Sequence, residues 1–455
     1  MCTGLKRPTV IRCVPNMNAH AWDLHLLYCS TTNLLCMEPQ ANQQSFKSYL
    51  TFFAGQQVSL LGSSIAQFLL IWWITLETNS AVYLSIAFLV GFAPMIILTP
   101  FAGVLVDRWN RKVVIGSVDF LQALTTVVLI FLFSAGFVSV LVILAFLAMR
   151  SVYQAFNVPA VSAIIPLMVP RDKLSRMNGL NYLLTGTMTM IGPIVAAVLL
   201  ATVKIDLILW IDPATFLVAL IPLLVIRIPS VREKAERTPF AKDLVEGLSF
   251  IKNARGFVPL VMLATVLNFL LVPFDTLTPY YVKVEHFGDA GSLALIMASA
   301  QGGMLAGGAL MSVMKGFKRK MVAVMAFLYV IFLGYALVAI TPVGLFWFMA
   351  LGALILGFGA APANVSLATI VQTIVPLKMQ GRVNSVSMAL ASAATPLGMV
   401  MSGAVVGFTG TTKLFLGCVV AGVSVATLSW FLTDIKHVEE LEQKTLDSEN
   451  QTKAE

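Results

Sequence analysis

Residues 103–133 read GVLVDRWNRKVVIGSVDFLQALTTVVLIFLF. The first ten carry four charges, and the twenty-one that follow carry only Asp119. A helix needs roughly 20 apolar residues to cross the hydrocarbon core of a bilayer. The second part of this stretch has that length and is apolar around most of its circumference, whereas a helix on the surface of a soluble domain shows only an apolar stripe. The same alternation of a short charged break and a long apolar run recurs along the chain. Over all 455 residues, 58% are hydrophobic, 11% are charged and the mean hydropathy is +0.87. Soluble domains carry about 25% charged residues, so a set of water-facing domains is excluded. Barrel strands would alternate polar and apolar residues, and these runs do not. The chain reads as an all-α membrane protein.

Apolar runs predict twelve spans, at 48–75, 81–106, 113–133, 138–158, 178–201, 207–227, 257–281, 290–314, 321–340, 344–372, 384–408 and 412–433. Of the 30 Lys and Arg, 26 fall at the chain ends and in alternate loops. Lys204, Lys283 and Lys413 fall in the opposite set, and Arg150 lies inside a span. Basic loops stay on the cytoplasmic side, so both termini are expected there. The divisions are 1–46, a cytoplasmic extension; 47–228, six spans; 229–256, a cytoplasmic central loop; 257–433, six spans; and 434–455, a polar cytoplasmic tail. Within the central loop, Phe240, Leu244, Val245, Leu248 and Ile251 recur at helical spacing. They predict a helix over 240–252, either lying along the membrane face or forming part of a charged tether. In the extension, Met37 is an alternative start that would leave a short leader before the first span.

A net charge of +8 with a pI near 9.2 could indicate nucleic acid, but the basic residues are dispersed between spans, so no nucleic-acid partner is expected. Cys2, Cys13, Cys29, Cys36 and Cys418 have no metal-ligand spacing, so neither a metal nor a disulfide framework is expected. Phosphate-binding loops and supported nucleophiles are lacking, so no cofactor and no enzyme activity are expected.

Val169-Pro170 is followed five residues on by Arg176-Met177-Asn178, and Val375-Pro376 five residues on by Arg382-Val383-Asn384. Both copies lie between the fourth and fifth spans of their six. This is the mark of two related halves, an architecture in which transporters hold substrate between rocking bundles.

The loop Gly103-Val-Leu105-Val-Asp107-Arg108-Trp-Asn110-Arg111-Lys112 resembles the signature loop of the major facilitator superfamily, G-x-L-a-D-r-x-g-r-k, with Asn110 in place of the usual Gly. The resemblance implies that Gly103, Asp107, Arg108, Arg111 and Lys112 gate the cytoplasmic side, with Asp107 as the latch and Gly103 allowing close helix approach. Arg150, at the end of Leu144-Ala-Phe-Leu-Ala-Met-Arg150, resembles the family's l-x-x-x-R pattern. Gly179, Gly192 and Pro193 partly match the exporter and antiporter motif G-x8-G-x3-G-P-x2-G-G, with Met188 at the middle Gly. The stretch 47–433 is similar to the macrolide-efflux and siderophore-exporter branch. That resemblance implies a proton-driven exporter of amphipathic molecules in a prokaryotic plasma membrane.

Ionisable residues inside spans are functional candidates because burying a charge in hydrocarbon costs at least ~2.5–3.5 kcal/mol. By depth, Asp119 and Arg150 are expected to form an ion pair that serves either proton coupling or helix packing. Asp212 and Asp275 are further coupling candidates, or else solvated interfacial acids. Gln56, Ser59, Ser63 and Gln67 make one polar stripe on the first span, facing either a wet cavity or a neighbouring helix. Trp72 and Trp73 fit an interfacial belt or a binding site. Asn157, Asn181, Asn268 and Asn364 are cavity candidates. The expectation is a monomeric secondary exporter with a small-molecule substrate, protons as coupling ion and the lipid bilayer as solvent. The alternatives are an uptake permease or lysophospholipid flippase on the same fold, or a non-transporting receptor or scaffold.

Overall fold

The protein is described from a computed structural model covering residues 43–226, 240–254, 256–314, 317, 319–375 and 379–437. Residues 1–42, with Met37 and four of the cysteines, lie outside the described residues. Among the described residues, twelve helical segments are long and apolar enough to cross a membrane. In hydrocarbon each backbone N–H must be satisfied within its own segment, and helices do this.

The first six spans are Gln43–Thr78, Ala81–Arg108, Arg111–Ser134, Val140–Ser162, Leu174–Leu200, and a short turn Ile205–Ile208 leading into Ile211–Val225. The seventh, Phe257–Tyr280, continues as a π-turn, Tyr281–Glu285. Then come Ala290–Val313, Lys320–Ala339 and Phe346–Ile374. The eleventh is Gln380–Ala393 followed by Thr395–Thr409, and the twelfth is Thr411–Leu432.

Observed bounds depart from the expected ones by up to five residues, and three of the spans show how. The fourth span runs through Pro159 to Ser162, four residues past its expected end, because a neighbouring bundle tolerates a proline within a span. The eleventh is interrupted at Ala394, where Pro396 sits in the first turn of the helix that follows. The sixth starts with a separate helical turn, with Asp212 in the first turn of its main helix.

The central loop forms the helix Phe240–Asn253. Ile251 is buried, Phe250 meets Phe257 edge-on, and Val245 and Leu248 are exposed. Glu246 pairs with Arg382, joining this helix to the start of the eleventh span. The sequence repeat has a backbone counterpart: Val169 and Val375 each end a helix in extended conformation and are buried. The residue before a proline is driven to that conformation.

Glycines let helix backbones approach closely. In the second six spans, a Cβ on Gly357 would lie 1.9 Å from the Ala300 carbonyl oxygen, and one on Gly303 would lie 2.1 Å from that of Leu354. Eighth and tenth spans are thereby held in backbone contact. In the first six, Gly62 abuts Thr215 and Asp212, and Gly192 abuts Ser64. Toward the ends that the charge count places outside, Gly403 of the eleventh span rests against Ser85 and Ala81 of the second. These contacts bring the two sets of six together.

Overpacking a tight contact costs about 1–3 kcal/mol. Gly357→Val is therefore expected to lower the thermal unfolding midpoint of the purified protein. Gly417→Ala, whose added Cβ meets nothing within 4 Å, should leave the midpoint unchanged.

Candidate functional site

The charges missing from the spans are gathered at one place in the first six helices. Arg150 of the fourth span donates to Asp212 of the sixth at 2.9 Å, with side chains only 9% and 4% exposed. The same guanidinium reaches Thr126 Oγ1 of the third span at 3.2 Å and the Ser63 carbonyl of the first at 3.5 Å. Asp212 also accepts from Thr126 Oγ1 at 2.6 Å and Ser63 Oγ at 3.0 Å. Gln122 Nε2 donates to Ser63 Oγ at 2.8 Å, and Gln154 Nε2 to Gln122 Oε1 at 3.5 Å. Four spans are fastened by one buried cluster. A buried ion pair is tolerable when extra hydrogen bonds satisfy both partners, and here they do. The close approach at Gly62 places Asp212 within reach of the first span.

The expected Asp119–Arg150 pair is not formed. The fourth span extends to Ser162, so Arg150 lies about one helical turn, ~6 Å, deeper than Asp119. Asp119 instead accepts from Asn157 Nδ2 at 2.7 Å and Gln56 Nε2 at 3.2 Å. It is held by two neutral amides.

Beside the network lies a central cavity of about 580 Å³ between the two sets of six spans. Ser63, Gln67, Arg150, Gln154 and Pro193 contribute from the first set, and Asp275, Thr278 and Gln301 from the second. Phe68, Phe88, Phe274, Met95 and Met297 supply an apolar wall. Asp275 belongs to this wall rather than to a solvated interface.

The polar stripe of the first span thus has two uses. Ser63 and Gln67 line the cavity, and Gln56 is bonded to the third span. Ser59, Asn157, Asn181, Asn268 and Asn364 do not line the cavity. Asn181 accepts from Thr185 and Asn268 donates to the Ala264 carbonyl, both within their own helices. Trp72 is buried in the core, and Trp73 meets Phe133 edge-on.

Gln122, Thr126, Gln154 and Gln301 belong to the network or line the cavity without being among the candidates expected from sequence. Three of them were detectable by the spacing that revealed the first-span stripe. Asp119, Gln122 and Thr126 share one face of the third span, as Arg150, Gln154 and Asn157 share one face of the fourth.

In the basic loop, Asn110 caps the third span by accepting from the Lys112 N–H at 3.0 Å, a task that Gly in that position could not perform with a side chain. Lys112 Nζ donates to the Leu224 and Ile226 carbonyls at 2.7 Å each, covering the cytoplasmic end of the sixth span. Around Gly103 nothing lies within 4 Å of an added Cβ, so the expected close approach is absent there. The same holds at Gly179, whereas Gly192 is packed on Ser64. The side chains of Asp107 and Arg108 lie outside the described residues. Among the described residues, no cluster of three or more His, Cys, Asp or Glu could hold a metal.

Twelve spans around a central cavity define a membrane transporter. The family model described as Major Facilitator Superfamily matches residues 52–391, and the chain belongs to that superfamily, a family of transporters rather than enzymes. Macrolide efflux protein A of Streptococcus pyogenes is 28% identical over 378 residues, covering 82% of this chain and 93% of that protein. The staphyloferrin A transporter of Staphylococcus aureus is 25% identical over 256 residues, covering 54% and 63%. Among solved structures, a bacterial homologue of the human lysosomal transporter Spinster, in an inward-facing and unoccupied conformation, matches with a TM-score of 0.64. That match has 14% identity over 89% of this chain and 98% of that one. Relatedness to the macrolide-efflux and siderophore-transporter branch follows from the first two.

Hydrogen bonds to charged groups contribute about 1.5–3 kcal/mol. Ser63→Ala and Thr126→Val should each lower unfolding stability by that order. Ser59→Ala should change it by less than ~0.5 kcal/mol. Denaturation of the three purified variants checks the ranking.

Proposed function

We propose that the protein is a secondary active exporter of amphipathic small molecules, working by alternating access with proton antiport. The observation that carries the reading is the central cavity, lined both by aromatic and sulfur side chains and by the edge of a buried polar network. Apolar pockets with a few placed polar groups are what amphipathic ligands require. The functions for which the relatives are named, macrolide efflux above all, support export. Their bacterial sources support a prokaryotic plasma membrane as the site of action. A monomer suffices, since the cavity is formed within one chain.

The buried Asp212 and the half-buried Asp119 differ in what a proton would do to them. Protonating Asp212 would strand the Arg150 guanidinium in a dry site, which is strongly unfavourable. Protonating Asp119 strands no cation, because its partners are the amides of Gln56 and Asn157. We therefore assign proton exchange to Asp119 and the fixing of helix positions to Arg150 and Asp212. In the same reading Gly103, Asp107, Arg108, Arg111 and Lys112 form the cytoplasmic gate, with Lys112 coupling the third span to the end of the sixth.

Proteoliposomes with an imposed pH gradient test the assignment. Asp119→Asn should reduce uphill drug accumulation by about tenfold or more, ~1.4 kcal/mol in the rate. Counterflow without a gradient should remain within about threefold, ~0.65 kcal/mol. Uphill accumulation equal to wild type would contradict the role of Asp119. Gradient-driven movement in the opposite sense would indicate an uptake permease, and no movement of any compound a receptor or scaffold.

A further inference from the structure

Asp275 faces the cavity as an exposed carboxylate, and among the described residues it makes no hydrogen bond and no ion pair. The other charged residue on the cavity wall is Arg150, and its guanidinium is already committed to Asp212, Thr126 and the Ser63 carbonyl. The wall therefore carries one neutralised pair and one uncompensated negative charge. Among the described residues the Asp275 carboxylate presents acceptors without a matching donor.

Three aromatic residues line the same cavity, Phe88 half-buried and Phe68 and Phe274 buried behind it. Phe274 is fixed edge-on against Tyr335 at 5.6 Å between centroids. An accessible aromatic face such as that of Phe88 attracts organic cations, and an uncompensated carboxylate attracts a group with positive charge. A multiply charged anion would meet Asp275 with no free cation on the wall to pair with. The volume, about 580 Å³, is that of a drug-sized ligand site.

From this we infer that Asp275 is the substrate-binding carboxylate of the central cavity and that the cavity selects lipophilic organic cations, chiefly amines protonated at neutral pH. The inference rests on the reading of this cavity as the transport site and deepens it by choosing between cationic drug-like and anionic siderophore-like cargo. Loading then consists of seating the cation between Asp275 and the aromatic rings, with the apolar body against Met95 and Met297.

Equilibrium binding to the full-length protein in lipid nanodiscs tests this without any gradient. The probes are radiolabelled tetraphenylphosphonium and the size-matched anion tetraphenylborate, each corrected for binding to protein-free nanodiscs. Wild-type protein is expected to bind the cation and show at least tenfold weaker binding of the anion. Asp275→Asn should weaken cation binding at least tenfold, and Asp275→Glu should restore it to within about threefold of wild type. Unchanged cation affinity in Asp275→Asn, with the fold verified by its unfolding midpoint, would overturn the inference. If that variant does not fold, the wild-type preference decides alone: equal binding of both ions, or preference for the anion, overturns it. Failure of the exporter reading shows differently. A protein that binds the cation through Asp275 but moves nothing uphill would overturn export and leave this site standing.

Discussion

A guanidinium in hydrocarbon must find an anion, and the placement of the first six helices follows from how Arg150 finds Asp212. Ser63, Thr126 and Arg150 reach the same carboxylate from three different spans. Helix association in a bilayer has no hydrophobic drive, because lipid tails are as apolar as leucine. A shared buried ion is therefore a strong source of orientation, and close glycine contacts supply the rest. In the second six spans no such pair occurs among the described residues. There, Gly303 and Gly357 bring the eighth and tenth helices into backbone contact.

This asymmetry suits a device with a fixed part and an adaptable part. One set of six keeps its charges satisfied internally and presents the edge of its network, through Ser63, Arg150 and Gln154, to the cavity. The other presents Asp275, which has no hydrogen-bond or ion-pair partner among the described residues. A ligand that completes the second set's charge would also bridge the two sets, and bridging is what links cargo to the rocking of one bundle against the other.

Much of this was legible in the sequence, and the parts that were not share a cause. Spans and orientation follow from residue counts, since the bilayer imposes length and the loops carry the basic residues. That Arg150 would be buried with an acid was equally readable. Which acid depended on depth, and depth depended on the fourth span continuing through Pro159, which sequence rules treat as a stop. Asp275 resembled an interfacial residue by its place near a helix end, and only packing shows that it lines the cavity. Glycine matches were uneven for the same reason. Gly192 and Gly103 look alike in a motif, but only Gly192 has a neighbour to accommodate.

The central claim is that Arg150 and Asp212 act as one unit on which the first six helices depend. A double-mutant cycle on unfolding stability tests it most directly, using Arg150→Met, Asp212→Asn and the pair together. Each single change leaves a buried polar group or charge without its partner, and loss of one member of a buried pair costs about 3–5 kcal/mol. The account predicts that the double variant loses far less than the sum of the singles, with a coupling energy of about 2 kcal/mol or more. Losses that add to within about 0.5 kcal/mol would contradict it, because independent sites behave that way.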